Sequence, residues 1–166
     1  MRFCSDVETP QGVIRIVADE NSVTAVAFHP HRSEKLKRLG LTGREQPNRV
    51  SRAAAEQLLD YFAGKRINFD LPVNFSKMTP YAQTVLNCLA NVPYGEIVTY
   101  GTLAEMSGRP RAARAVGRIM AANPVPIIIP CHRVVGSTGK MTGYSGGDGI
   151  KTKEWLLAFE NQNSST

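Results

Sequence analysis

Apolar positions come first in short β-branched runs and later at helical spacing. Gly12-Val13-Ile14-Arg15-Ile16-Val17-Ala18 and Val23-Thr24-Ala25-Val26-Ala27-Phe28 flank the turn-rich Asp19-Glu20-Asn21-Ser22, which predicts a β-hairpin. The residues from Met1 run straight into strand-like sequence, without the apolar stretch that marks a secretory signal. A basic stretch from Ser33 to Leu39 reads as a short helix. After a loop to Asn48, Ser51 is the expected cap of a second helix carrying Ala55, Leu58, Leu59 and Phe62 on one face and ending at Gly64. Residues 65–78 include Leu71-Pro72 and few helix signals. They read as an extended connector dividing the chain into domains 1–77 and 78–166.

The second part is mainly helical. Thr79 is placed as N-cap and Pro80 at the first helical position, with Ala82, Val85, Leu86 and Leu89 at helical spacing. Pro93-Tyr94-Gly95 stops that helix. A short helix from Thr99 to Ser107 ends at Gly108, Arg109-Pro110 turns the chain, and another helix is expected over 111–120. Helix, tight turn, helix is the arrangement of DNA readers and also of ordinary packing hairpins. Arg111, Arg114 and Arg118 recur at i, i+3 and i+7 as one stripe, with Ala115, Val116 and Ile119 turned to the core. Small Ala112, Ala113 and Ala115 beside the stripe would let the helix approach a groove closely.

Composition narrows the class. At 166 residues, 42% hydrophobic and 20% charged, the chain can bury a core, and no apolar run approaches the roughly 20 residues of a membrane helix. No membrane partner is expected. Three cysteines at unrelated spacings signal neither a disulfide framework nor a paired metal motif, which suits a reducing cytoplasmic (or, in a eukaryote, nuclear) location. The net charge of +6 favours an anionic partner. Its distribution says more: Met106–Gly147 contains no Asp or Glu, but holds Arg109, Arg111, Arg114, Arg118, Arg133 and Lys140.

Within that basic stretch, Cys131 follows an apolar, strand-like run, Ile127-Ile128-Ile129-Pro130, and precedes His132 and Arg133. An imidazole and a cation beside a thiol favour the thiolate, the nucleophilic form. A buried cysteine also packs as a small hydrophobe, and Cys4 and Cys88 are read that way. A nucleophile shortly after a DNA-reading helix points to chemistry on a base rotated out of the stack. Candidate pocket residues are Tyr100, the segment Asn123-Pro124-Val125-Pro126 and the loop Gly143-Tyr144-Ser145-Gly146-Gly147.

These motifs, together and in order, resemble the methylated-DNA–protein-cysteine S-methyltransferases, the O6-alkylguanine-DNA alkyltransferase family. The resemblance is carried by Pro93-Tyr94-Gly95, Thr99-Tyr100-Gly101, Ala113-Arg114-Ala115-Val116-Gly117, Asn123-Pro124, Ile129-Pro130-Cys131-His132-Arg133-Val134, Thr142-Gly143-Tyr144-Ser145-Gly146-Gly147 and Trp155-Leu156-Leu157-Ala158-Phe159-Glu160. It implies an α+β fold, with a small N-terminal ribonuclease H-like sheet-plus-helix lobe and a mainly helical, helix-turn-helix (winged-helix-like) C-terminal domain. The implied partner is double-stranded DNA containing O6-alkylguanine, with O4-alkylthymine a further candidate. The alkyl group passes irreversibly to Cys131 in a single turnover, with no cofactor. One copy of each required group suffices for a monomer.

The resemblance also assigns roles. His132 would deprotonate Cys131 through a water, Glu160 would orient the imidazole, and Tyr100 would donate to the departing base. Arg114 would fill the gap left by the rotated nucleotide, with Arg111, Arg118, Ala113 and Ala115 on the DNA. Asn123 would brace the reactive segment, while Val134, Tyr144 and Ser145 would line the base pocket. The stretch between Gly147 and Trp155 is longer than in the commoner family pattern, leaving open which of Lys151 and Lys153 takes the active-site lysine position. Some members bind zinc in the N-terminal lobe; here Cys4, His29 and His31 are present without a second cysteine, so no metal is expected. Rival readings are a helix-turn-helix regulator or lesion sensor without chemistry, and a Cys-His-Glu hydrolase.

Overall fold

A computed structural model describes residues 1–43 and 45–164. The chain forms two compact units, Met1–Asn74 and Phe75–Thr166. In the first, strands β1 (Phe3–Thr9), β2 (Gly12–Ala18) and β3 (Val23–Phe28) make an antiparallel sheet in that order. The hairpin read from sequence is β2–β3. The strand β1 completes the sheet, with Val7 opposite Ile14. Central β2 is buried from Ile14 to Ala18, because both faces of the sheet are covered.

One face carries Cys4, Val17, Ala25 and Ala27 against Leu36 of helix α1 (Glu34–Arg38) and Leu41. The other meets α2 (Arg49–Phe62), as the 2.8 Å contact between Ser5 Oγ and Ser51 Oγ shows. Two expectations about α2 are corrected. Asn48, not Ser51, is the N-cap; Ser51 closes a reciprocal capping box, its N–H donating to Asn48 Oδ1 at 2.8 Å and its Oγ accepting from Asn48 N at 3.0 Å. The buried face is Val50, Ala54, Leu58 and Tyr61, whereas Leu59 is 47% exposed. Packing against the sheet selects this face, which is turned about one residue from the expected one and shares only Leu58 with it.

In the second unit, α3 (Pro80–Ala90) starts from Thr79, whose hydroxyl accepts from Ala82 N, and buries Ala82, Val85, Leu86 and Leu89. Helix α4 (Tyr100–Met106) is capped by Thr99 and buries Leu103 and Ala104, and α5 (Ala113–Ala121) follows after the turn. The three helices pack on one another. Strand β4 (Val98–Thr99) pairs in parallel with β5 (Val134–Val135), tying the start of α4 to the segment just after Cys131. Helix α6 (Ile150–Ser164) buries Thr152, Lys153, Leu156 and Glu160 along one stripe. Among the described residues, no helix is long and apolar enough to cross a membrane.

Candidate active site

The run before Cys131 is a turn, not the strand its composition suggests. Ile127 takes φ +72, a left-handed conformation costly for a β-branched residue, and is 1% exposed. Asn123 holds this turn from inside. Its Oδ1 accepts from Val125 N at 3.0 Å and its Nδ2 donates to Ile129 O at 2.8 Å. Ile129 N donates to Val125 O, and Cys131 N to Ile129 O at 2.8 Å, so the turn hands a fixed backbone to a short 3-10 turn, Cys131–Arg133. Apolar burial keeps the strained turn closed.

Cys131 forms part of the wall of a cavity of about 340 Å³ together with Tyr100, Gly117, Met120, Ala121, Gly143, Tyr144 and Ser145. That is the lower end of the size range for a small-ligand site. Helix α5 therefore serves two purposes. Gly117 and Ala121 wall the cavity, while Arg114, one turn before Gly117, and Arg118 are exposed.

Behind the sulfur, His132 is fully buried and its Nε2 lies 2.8 Å from Glu160 Oε1 and 3.1 Å from Oε2. Arg133 Nε donates to both carboxylate oxygens, at 2.8 and 3.1 Å, and its Nη1 donates to Val92 O at 2.6 Å. Burial acts to raise the Glu160 carboxyl, but the His132 and Arg133 bonds outweigh it and hold it below its ordinary value. Burial pushes His132 down, so the imidazole is neutral. An ionised Glu160 accepts from Nε2–H, leaving the lone pair on Nδ1. That atom is buried and meets no hydrogen-bond partner among the described residues.

The model of the 6-O-methylguanine DNA methyltransferase DNA-binding domain matches residues 80–162, and that of the same family's ribonuclease-like domain matches residues 3–75. The chain belongs to the 6-O-methylguanine DNA methyltransferase family. It is 38% identical over 160 residues to the methylated-DNA–protein-cysteine methyltransferase of Salmonella typhimurium, covering 93% of this chain and 92% of that one. The crystal structure of Mycobacterium tuberculosis O6-methylguanine methyltransferase matches with a TM-score of 0.84 at 34% identity, covering 98% and 94% of the two chains. A structure of Mycobacterium tuberculosis OGT in complex with DNA matches with a TM-score of 0.79 at 36% identity, covering 95% and 92%. The expected α+β architecture, with a ribonuclease-like N-terminal and a DNA-binding C-terminal part, is that of the family.

Several sequence expectations about this methyltransferase-family site change. Arg133 does not face the thiol; its guanidinium is spent on Glu160 and Val92 O. Nor is the thiol a resting anion: burial pushes Cys131 up to about 11, against smaller opposing effects of an Asn123 hydrogen bond and the Lys153 charge. Arg111 precedes α5 rather than lying on it, although it is exposed like Arg114 and Arg118. Ala113 opens the helix and Ala115 is half-buried. Val134 is fully buried and its carbonyl is taken by Lys153 Nζ at 2.6 Å, so it stands behind the cavity wall.

Of the two candidate lysines, Lys153 is the one buried beside the Cys131 segment, through its bond to Val134 O. It is 1% exposed, donates also to Thr142 O at 3.3 Å, and is held below its ordinary pKa by burial, while Lys151 is exposed. The buried stripe of α6 places Lys153 two turns before Glu160, a spacing that could have singled it out. Two further residues went unread. Thr142 Oγ1 lies 2.6 Å from Tyr100 Oη, and Met120 helps wall the cavity. Buried Arg15, in the N-terminal unit, pairs with Asp6 and Glu45.

Proposed function

We propose that the protein repairs duplex DNA by moving the alkyl group of O6-alkylguanine onto Cys131 in one irreversible turnover. One observation carries this reading. A sulfur in the wall of a small cavity has a buried His132–Glu160 pair behind it and an arginine-bearing helix, α5, in front.

Arg111, Arg114 and Arg118 bind phosphates, and Ala113 and Ala115 allow close approach to the duplex. The lesion base rotates into the cavity, and Arg114 fills its place in the stack. His132 Nδ1 draws the Cys131 proton through one water. Glu160 stabilises the resulting imidazolium, as a carboxylate does in a hydrolase triad. The sulfur attacks the alkyl carbon, so that an S–C bond forms as the C–O bond breaks and the electron pair passes to the purine. Tyr100 gives a proton to a ring nitrogen, and the base leaves neutral, still attached to its strand. The imidazolium proton returns to Tyr100 through solvent, so the net change moves the thiol proton to the base.

The high resting pKa of Cys131 fits this sequence, because the thiolate is made only when the relay acts. Asn123 and Lys153 favour the anion at that moment. Lys153 fixes the Val134 carbonyl, and Tyr144 and Ser145 close the cavity around the base. A thioether is a poor leaving group, so the protein is consumed. One chain holds every group used, so a monomer suffices. A free nucleophilic thiol suits the reducing cytoplasm, or the nucleus in a eukaryote.

The test is incubation with a duplex carrying O6-methylguanine. One methyl is expected on the Cys131 peptide per protein, and Cys131→Ser is expected to bind the duplex without accepting the methyl. Full repair with Cys131 unmodified would overturn the reading, and repeated turnover would favour hydrolysis.

A further inference from the structure

Beside the cavity, one side chain joins two groups that this alkyl-transfer reading uses. Thr142 Oγ1 and Tyr100 Oη lie 2.6 Å apart, and the Thr142 carbonyl accepts from Lys153 Nζ at 3.3 Å. Lys153 in turn holds Val134 O and stands 6.0 Å from the centroid of the Tyr100 ring. Thr142 directly precedes Gly143, Tyr144 and Ser145, which wall the cavity. It ties the loop to α4 through a hydroxyl pair that either partner can donate.

Which one donates decides where the Tyr100 proton points. A phenol has one proton and can accept as well as donate. If Tyr100 donates to Thr142, its proton is engaged away from the base. If Thr142 donates to Tyr100 Oη, the phenol proton is free for the cavity, and accepting a bond strengthens Tyr100 as a donor. A base offering a ring nitrogen makes the second arrangement one hydrogen bond richer than the first. Filling the cavity therefore selects it.

We propose that Thr142 is a positioning residue that donates its hydroxyl proton to Tyr100 Oη, aiming the Tyr100 proton at the departing base. It acts on the transfer step and not on DNA binding. This rests on the alkyl-transfer reading above.

The experiment measures single-turnover methyl transfer from a duplex carrying one O6-methylguanine, with protein in saturating excess, alongside duplex affinity and thermal midpoint. The proteins compared are the native chain, Thr142→Val, Thr142→Ser, Tyr100→Phe and the Tyr100→Phe/Thr142→Val double variant. Thr142→Val keeps shape and removes the donor; it is expected to slow transfer about threefold to tenfold with affinity unchanged. Thr142→Ser recovers the lost rate, and the double variant is no slower than Tyr100→Phe alone. The proposal is overturned if Thr142→Val transfers at the native rate, if its loss appears in affinity instead, if serine fails to restore the rate, or if the two losses multiply. A native protein that leaves Cys131 unmethylated would remove the underlying reading, an outcome distinct from all of these.

Discussion

Arg133 donates to Glu160 Oε1 at 2.8 Å, the same oxygen that lies 2.8 Å from His132 Nε2. The cation therefore works on the carboxylate behind the imidazole and not on the thiol that its sequence position suggests. A buried carboxylate without a cation would drift toward its neutral form, and a neutral Glu160 could not stabilise a charged His132.

Arg133→Gln is accordingly expected to cost about 3 kcal/mol of stability, the scale for removing one partner of a buried ion pair. The pH dependence has a definite sign. Glu160 sits below its ordinary 4.5, so its contribution is present above that value and is lost as pH falls through the lower folded value. In Arg133→Gln the folded value moves back toward 4.5, so less stability is lost on acidification and the acid limb becomes shallower than in the native protein. Thermal midpoints between about pH 3 and 7 check this, and an unchanged acid limb would refute it.

The Cys131 thiol should titrate near 11, not at its ordinary 9.0. The thiolate absorbance of the native protein minus that of Cys131→Ser gives the value, because Cys4, also pushed up to about 11, cancels in the difference. The linked stability is fully present below 9.0 and is lost as pH rises through about 11. Cys131→Ser should therefore lose less stability than the native protein over that interval. A thiolate already formed at neutral pH would contradict the relay described above.

Local signals in the sequence were strong enough to place most elements. Thr79-Pro80 and Thr99 carry their own capping chemistry, and the hairpin Gly12–Phe28 is set by its turn and β-branched flanks. The motif resemblance brought forward His132 and Glu160, 28 residues apart, and the structure puts them in contact. What stayed hidden depends on packing. Nothing local shows that Asn48 wins the cap from Ser51. Composition cannot reveal that Ile127 is forced into a left-handed turn. Neighbours in sequence do not show that Arg133 and Cys131 face different ways, because a 3-10 turn points successive side chains in different directions.

Lysine replacement separates the two candidates. Lys153→Met leaves the buried Val134 carbonyl without its charged donor and removes the cation that favours the Cys131 anion. Losing a charge-assisted bond of this kind should slow transfer about tenfold to a hundredfold. Lys151→Met touches an exposed side chain and should change stability by no more than about 0.5 kcal/mol, with transfer near the native rate. Equal losses in the two variants would mean that burial of Lys153 is not what matters.

Gly117 tests whether the base enters the cavity at all. A Cβ there would lie 3.9 and 4.0 Å from Tyr100 Cε1 and Cδ1, ordinary contact, so Gly117→Ala disturbs neither helix nor ring. Replacing a helical glycine should add up to about 1 kcal/mol of stability. The new methyl nevertheless projects into the space that an alkylated purine must share with Cys131. Gly117→Ala should transfer methyl close to normally but lose rate on a bulkier O6-benzylguanine duplex, and Gly117→Leu should lose transfer while still binding duplex through the arginines outside. A Gly117→Leu protein that repairs at the native rate would show that Cys131 meets its substrate by some other route than this cavity.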